Sequence, residues 1–330
     1  MDLKQSYLPS EFLIPQPTIC MYTYVMKLLR SPMSHYVLLT GLYFLLTFIL
    51  PANKIAMSQY HLSAVQYHVL LFVVVLPAFG IWFAAFYGYT KLRAYARAIH
   101  KTAEGDDYQQ LATGCGWLAY SLPISALTSI ILASIANAQS EFHPTAIILT
   151  NYESLLLPLI AFSLLSSSAR NLTAKAKLRL TIGRARSIIV VFVLGGVLYC
   201  YFTFRQFDLS SISSANNAYY LPVWLALITV IVPYLYSWFI GLLAAYEITL
   251  FAQQSKGVLY RQALGYVGFG ITAVIVSSIA LQYVTSVVPR TGSLSLNTVL
   301  AAVYAADTVS AVGYVLIAVG ATRLKRIEEV

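Results

Sequence analysis

The chain has 330 residues, of which 59% are apolar, 14% aromatic and only 10% charged, with a net charge of +9. Soluble domains carry about 25% charged residues, so this composition excludes an ordinary soluble domain, a disordered chain and a collagen-like repeat. The class that remains is a polytopic membrane protein whose apolar segments face lipid.

Residues 1–35 hold Pro9, Pro15, Pro17 and Pro32, with Lys27 and Arg30 beside aromatic and apolar neighbours. They lack the long apolar run and small-residue cleavage site of a signal peptide. Thr18–Arg30 reads either as a short amphipathic helix at the membrane interface or as a partly ordered tail. Beyond it, eight segments approach or exceed the length of about 20 apolar residues that a membrane helix needs. They run roughly over 36–52, 66–90, 112–137, 146–168, 187–204, 221–246, 262–288 and 296–320. The first is the shortest, closed by Pro51, Asn53 and Lys54.

Two of these segments continue past the membrane. From Tyr67 to about Ala103 only Pro77 interrupts the run, which at 1.5 Å per residue gives about 55 Å of helix against a hydrocarbon core of about 30 Å. The sixth segment behaves alike from Pro222 to Ser255. Each run stops at a glycine, Gly105 or Gly257, the residue favoured just past a helix end. The expectation is two helical hairpins projecting into the cytoplasm, with Lys91, Arg93, Arg97 and Lys101 on solvated faces. Pro77 and Pro233 should kink their helices. With Gly105 and Gly257 they are candidate hinges, fixed bends being the plainer alternative.

An even number of spans puts both termini on one side. With eight spans, every Lys and Arg except Lys54, Arg205 and Arg290 falls on that side. Basic residues mark the cytoplasmic side of short loops, so both termini are predicted cytoplasmic, in a plasma or inner membrane. The positive balance then reflects topology and attraction to anionic lipid, and no nucleic-acid partner is implied.

The spans carry an internal repeat. At an offset of 156, Tyr43, Thr47, Phe48, Pro77, Trp82 and Phe83 meet Tyr199, Thr203, Phe204, Pro233, Trp238 and Phe239. At an offset of 152, Gly105, Tyr108, Gln110, Gly116, Tyr152 and Leu172 meet Gly257, Tyr260, Gln262, Gly268, Tyr304 and Leu324. The change of offset falls in a loop, where four residues cost little. The predicted architecture is therefore an all-α bundle of eight transmembrane helices, a tandem parallel repeat of 4+4. Its parts are an N-terminal segment 1–35, repeats 36–172 and 187–324, a basic linker 173–186 and a tail 325–330. Units with an even number of spans insert the same way up and are related by an axis along the membrane normal, as in some transporters. Small residues should mediate the contacts: Ala302, Ala306, Ser310 and Gly313 in the last span, Gly265, Gly268 and Gly270 in the seventh, Gly114 and Gly116 in the third.

Charges within the spans are the sharpest chemical signal, because they are costly in lipid and normally face the bundle interior. Asp307 lies near the middle of the last span, and Glu153 in the outer half of the fourth. Burial favours the neutral form of a carboxyl, so each is a candidate proton- or cation-coupling group. The alternative is a neutral carboxyl hydrogen-bonded across a helix contact. Glu153 follows Tyr152 by one residue and Asp307 follows Tyr304 by three, about 200° of helix apart, so the two do not form a symmetric pair. Tyr152 and Tyr304, matched across the repeat, are candidates for a polar seam beside them.

His35, His61, His68, His100 and His143 are scattered, and the cysteines Cys20, Cys115 and Cys200 have no CxxC spacing. No metal site, haem or other cofactor is implied. No phosphate-binding loop, HExxH or Gly-x-Ser-x-Gly sequence occurs. No nucleophile–base pair appears at sensible spacing, which disfavours an enzyme. The leading functional expectation is a transporter or permease for a small solute, with a path at the repeat interface. The alternative is a membrane sensor or docking subunit that engages a cytoplasmic protein through the two hairpins. The oligomeric state is not legible.

Overall fold

Apolar backbone in lipid must satisfy its own N–H and C=O groups, which the α-helix does within a single segment. A computed structural model describes residues 31–49, 63–138, 144–176, 223–255, 257–287 and 296–328, and every regular element in them is helical. The helices are α1 (Pro32–Ile49), α2 (Ala64–Ala98), α3 (Gly105–Ala138), α4 (Pro144–Lys175), α5 (Val223–Gln254), α6 (Val258–Val287) and α7 (Leu296–Glu328). Five stretches within them are long and apolar enough to cross a membrane: Gly105–Ile131, Leu155–Lys175, Val232–Gln254, Val258–Leu281 and Val303–Ile327. The protein is thus an all-helical membrane bundle. Seven of the eight expected spans coincide with described helices. The expected span 187–204 and the linker 173–186 beyond Ala176 lie outside the described residues, as do Lys54, Arg205, Arg290, Cys20 and Cys200.

Six helices close a ring. Each packs against the next in the order α2, α3, α4, α5, α6, α7, and α7 returns to α2. The helix α1 lies outside, against α2 and α3. It is held there by aromatic edges, Tyr43 on Trp82 and Tyr36 on Phe83, and by a His35 Nδ1–Tyr120 hydroxyl hydrogen bond. Its other face exposes Val37, Leu38, Leu42, Leu45 and Ile49. Leu76, Leu156, Val232, Phe269, Val276 and Val315 are exposed from the ring in the same way. An apolar exterior of this extent is stable only against lipid.

No water-driven force holds helices together in lipid, so close backbone approach has to do it. The contact between α6 and α7 shows this most clearly. A Cβ on Gly270 would lie 2.6 Å from the Gly313 carbonyl oxygen, and one on Gly313 would lie 2.8 Å from that of Gly270. The hydroxyls of Thr47, Thr90, Thr249 and Thr272 are satisfied within their own helices, each donating to the carbonyl four residues earlier.

The described Lys and Arg side chains all sit at one end of the ring. That end carries the turns between α2 and α3 and between α5 and α6, and the C-termini of α4 and α7. The first turn corrects an expectation, since α2 stops at Ala98 rather than near Ala103. Side chains at residues 100–102 compete for the last carbonyls: His100 Nδ1 pairs with Arg97 O at 2.7 Å, and Thr102 donates both N–H and hydroxyl to Ile99 O. A second correction concerns Gly105, which opens α3 instead of following α2. Its missing Cβ lets the chain pass 2.6 Å from where that atom would meet Ile99 O. Gly257 does sit past a helix end, at φ 103, a conformation that glycine adopts without steric cost. Pro77 and Pro233 lie inside continuous helices, and so do Pro123 and Pro158.

Candidate functional site: a cavity at mid-height of the ring

All seven helices contribute to one cavity of about 370 Å³, within the ~300–1,000 Å³ typical of small-molecule sites. In α2 it is lined by Ala78, Ile81 and Trp82, about midway along that helix. From α3 come Leu118, Ser121, Leu122, Ser125 and Ala126, and from α4 Pro158 and Phe162. From α5 comes Tyr234, from α6 Val274, Ser277, Ser278 and Leu281, and α1 reaches in with Tyr43. The last helix supplies Ala306, Asp307, Ser310 and Tyr314. Among the described residues the lining contains no Lys, Arg or His.

Several of the polar groups are already engaged. Ser121 and Ser277 each donate a hydroxyl to the carbonyl three residues earlier, at 2.8 and 3.0 Å. Ser278 Oγ accepts from Trp238 Nε1 at 3.3 Å. Asp307 differs from these. It is half-buried against the cavity, and among the described residues it has neither a hydrogen bond nor an ion pair.

A packed layer separates this cavity from a wider recess at the basic end. The recess holds about 740 Å³ and is lined by Tyr95, Thr102, Glu104, Gln254, Ser255 and Tyr260, among others. Tyr260 and Tyr108 join hydroxyl to hydroxyl across the ring. Tyr95 stands edge-on to Tyr108, with ring centroids 5.2 Å apart. Behind them Leu111, Ala112 and Cys115 of α3 and Leu264, Val267 and Ile271 of α6 are buried. From Tyr108 to the first cavity residue of α3, Leu118, the helix rises about 15 Å.

The other residues singled out from sequence fall in different places. Tyr304 is half-buried with a buried hydroxyl that finds no partner among the described residues, and it does not line the cavity. Tyr152 and Glu153 lie in α4, and their side chains are outside the described set. Pro77 and Pro233 are not in the lining, but the residue after each of them, Ala78 and Tyr234, is. Gly105 and Gly257 belong to the two turns at the basic end.

Two ionic contacts were not anticipated. Glu247 is buried in α5, with Arg170 Nε of α4 at 3.6 Å from Oε1. Asp107, buried in the first turn of α3, receives Lys175 Nζ at 2.5 Å, and the same ammonium donates to Ala103 O at 2.5 Å. An isolated acid in the apolar run Leu243–Leu250 was the available signal for Glu247, but it falls one residue beyond the expected span end. Pro158 and Phe162 carried no signal at all, because nothing in an apolar helix marks which face meets a cavity.

Among the described residues no three His, Cys, Asp or Glu side chains come together as a metal site. Comparison with protein-family models, with curated proteins and with solved structures finds no match, so the chain's own geometry carries the functional reading.

Proposed function

We propose that the protein is a transporter or permease for a small solute, with its path running between the two halves of the chain. The observation that carries this reading is the mid-height cavity, to which every described helix contributes and which is lined by the carboxyl of Asp307, unpartnered among the described residues. A purely structural bundle has no use for an ionisable group held this way in an apolar interior, where it is expensive. The packed layer at Tyr108 and Tyr260 fits the same reading, since an alternating-access protein must close its site on one side at a time.

The 4+4 repeat of eight spans belongs to this proposal. Its support is the cyclic helix order and the Tyr108–Tyr260 contact, because two residues separated by the repeat offset of 152 touch when they lie on a twofold axis. The basic end is taken as cytoplasmic on charge grounds. The reading predicts saturable solute uptake by the full chain in proteoliposomes, and loss of at least nine-tenths of the rate with Asp307→Asn. Failure of both proteins to move any of a broad set of protons, amines, sugars and amino acids would overturn it.

A further inference from the structure

We propose that the mid-height cavity is a receptor for a small amphipathic organic cation, an alkyl- or arylammonium, with Asp307 as its counter-ion. The inference rests on the reading of that cavity as the solute site and gives it a substrate class. A carboxylate half-buried among apolar helices is stabilised by a proton, a basic side chain or a bound cation. No Lys, Arg or His lines the cavity, and no ion pair reaches Asp307 among the described residues. The same absence leaves an anionic solute nothing to pair with.

The rest of the lining distinguishes an organic cation from an inorganic one. A hard metal ion takes six or more oxygens at about 2.0–2.6 Å. Here Asp307 is the single carboxylate in the lining among the described residues, and its other side-chain oxygens are neutral serine and tyrosine hydroxyls rather than the carboxylates and carbonyls such ions take. Aromatic rings are abundant instead, with Tyr43, Trp82, Phe162, Tyr234 and Tyr314 all in the lining. Trp82 is fixed in place by Tyr43 and Phe79, each with its centroid at 5.4 Å. Aromatic faces beside one acid are the chemistry that recognises quaternary ammonium groups, and the volume admits a ring with such a group attached.

Three of the five rings, Tyr43, Trp82 and Phe162, come from the first half of the chain, whereas the acid comes from the second. Trp82 and Phe162 belong to α2 and α4, while Asp307 and Ser310 belong to α7. A ligand with a charged head and an apolar body would therefore bridge the first and second halves of the chain.

The test is calorimetric titration of the detergent-purified full chain with benzyltrimethylammonium, and with phenylacetate as an anion of similar size. The expected result is saturable binding of the cation alone, weakened at least tenfold by Asp307→Asn and by Trp82→Leu, and retained by Asp307→Glu. Should Asp307→Asn not fold, the cation-against-anion contrast on the unaltered protein and the Trp82→Leu variant decide. Absence of cation binding, equal binding of phenylacetate, or indifference to both substitutions overturns the inference. Binding without any flux in proteoliposomes supports the receptor and overturns only the transport reading. Flux of another solute that the cation neither binds against nor inhibits overturns the receptor and leaves transport standing.

Discussion

The first-half helices α2–α4 and the second-half helices α5–α7 solve the same packing problem by different means. Where α6 and α7 meet through Gly270 and Gly313, the positions 152 residues earlier hold Leu118 and Ala161, so α3 and α4 cannot approach through paired glycines there. At the basic end the arrangement is reversed. The first half is fastened by Lys175 on Asp107 and Ala103 O, and by Ser168 Oγ donating to Asp107 O at 2.7 Å. The corresponding second-half positions are Leu259 and Ile327, and nearby Arg323 donates to Gln262 at 3.1 Å and lies over the Tyr266 ring at 4.7 Å, with no buried ion pair like that of Asp107 among the described residues. One half is thus tight in mid-bundle and lightly tied at its end, and the other is clamped at its end. The cavity lining is asymmetric as well: Pro158 and Phe162 of the first half stand at the positions of Ser310 and Tyr314 in the second, while buried Leu155, at the position of Asp307, does not reach the cavity.

This contrast is open to direct attack. The largest effect is expected from Gly313→Leu, whose added side chain meets the Gly270 carbonyl and both the backbone nitrogen and the short, branched side chain of Val274. Overpacking of this kind should cost about 3 kcal/mol, whereas Ala161→Gly in the first half should cost only about 1 kcal/mol. Equal shifts of the two in thermal unfolding in detergent would erase the distinction. Next, Lys175→Met strands the buried Asp107 carboxylate and should cost about 2 kcal/mol, a figure reduced because the lysine is partly solvated. Adding Asp107→Asn should recover part of that loss. Arg323→Met, at the basic end of the second half, removes a surface hydrogen bond and a cation–π contact with Tyr266 and should cost less than about 1 kcal/mol. Last, Tyr108→Phe and Tyr260→Phe should each cost about 1 kcal/mol, with a double-mutant coupling of similar size. A coupling near zero would mean that the two hydroxyls do not act as a pair.

The helices were legible because lipid imposes a simple rule on composition. Seven apolar runs coincide with described helices, and Asp307 stood out as a charge where charge is costly. The termini of the runs were less legible. Ala98 and Gly105 bound a turn set by hydrogen bonds from His100 and Thr102 to particular carbonyls, which no hydropathy window records. The cavity's other walls were illegible for a related reason. In a helix that is apolar all round, Phe162 inside and Leu156 outside read alike. Asp107 and Lys175 looked like ordinary loop charges, because their pairing depends on how α3 and α4 lie together. The spacing of Ala306, Ser310 and Gly313 marks a face turned into the bundle, but it does not distinguish Ala306 and Ser310, which line the cavity, from Gly313, which packs on Gly270.

The gathering of every described Lys and Arg at one end of the ring has a consequence for the life of the protein. Turning the folded chain over would drag that cluster through the hydrocarbon core, at about 2.5–3.5 kcal/mol for each cationic side chain. The penalties mount to a barrier that thermal motion does not cross. The way up in which the chain leaves the insertion machinery is therefore the way up it stays, and any vectorial work it performs inherits its direction from the moment of synthesis.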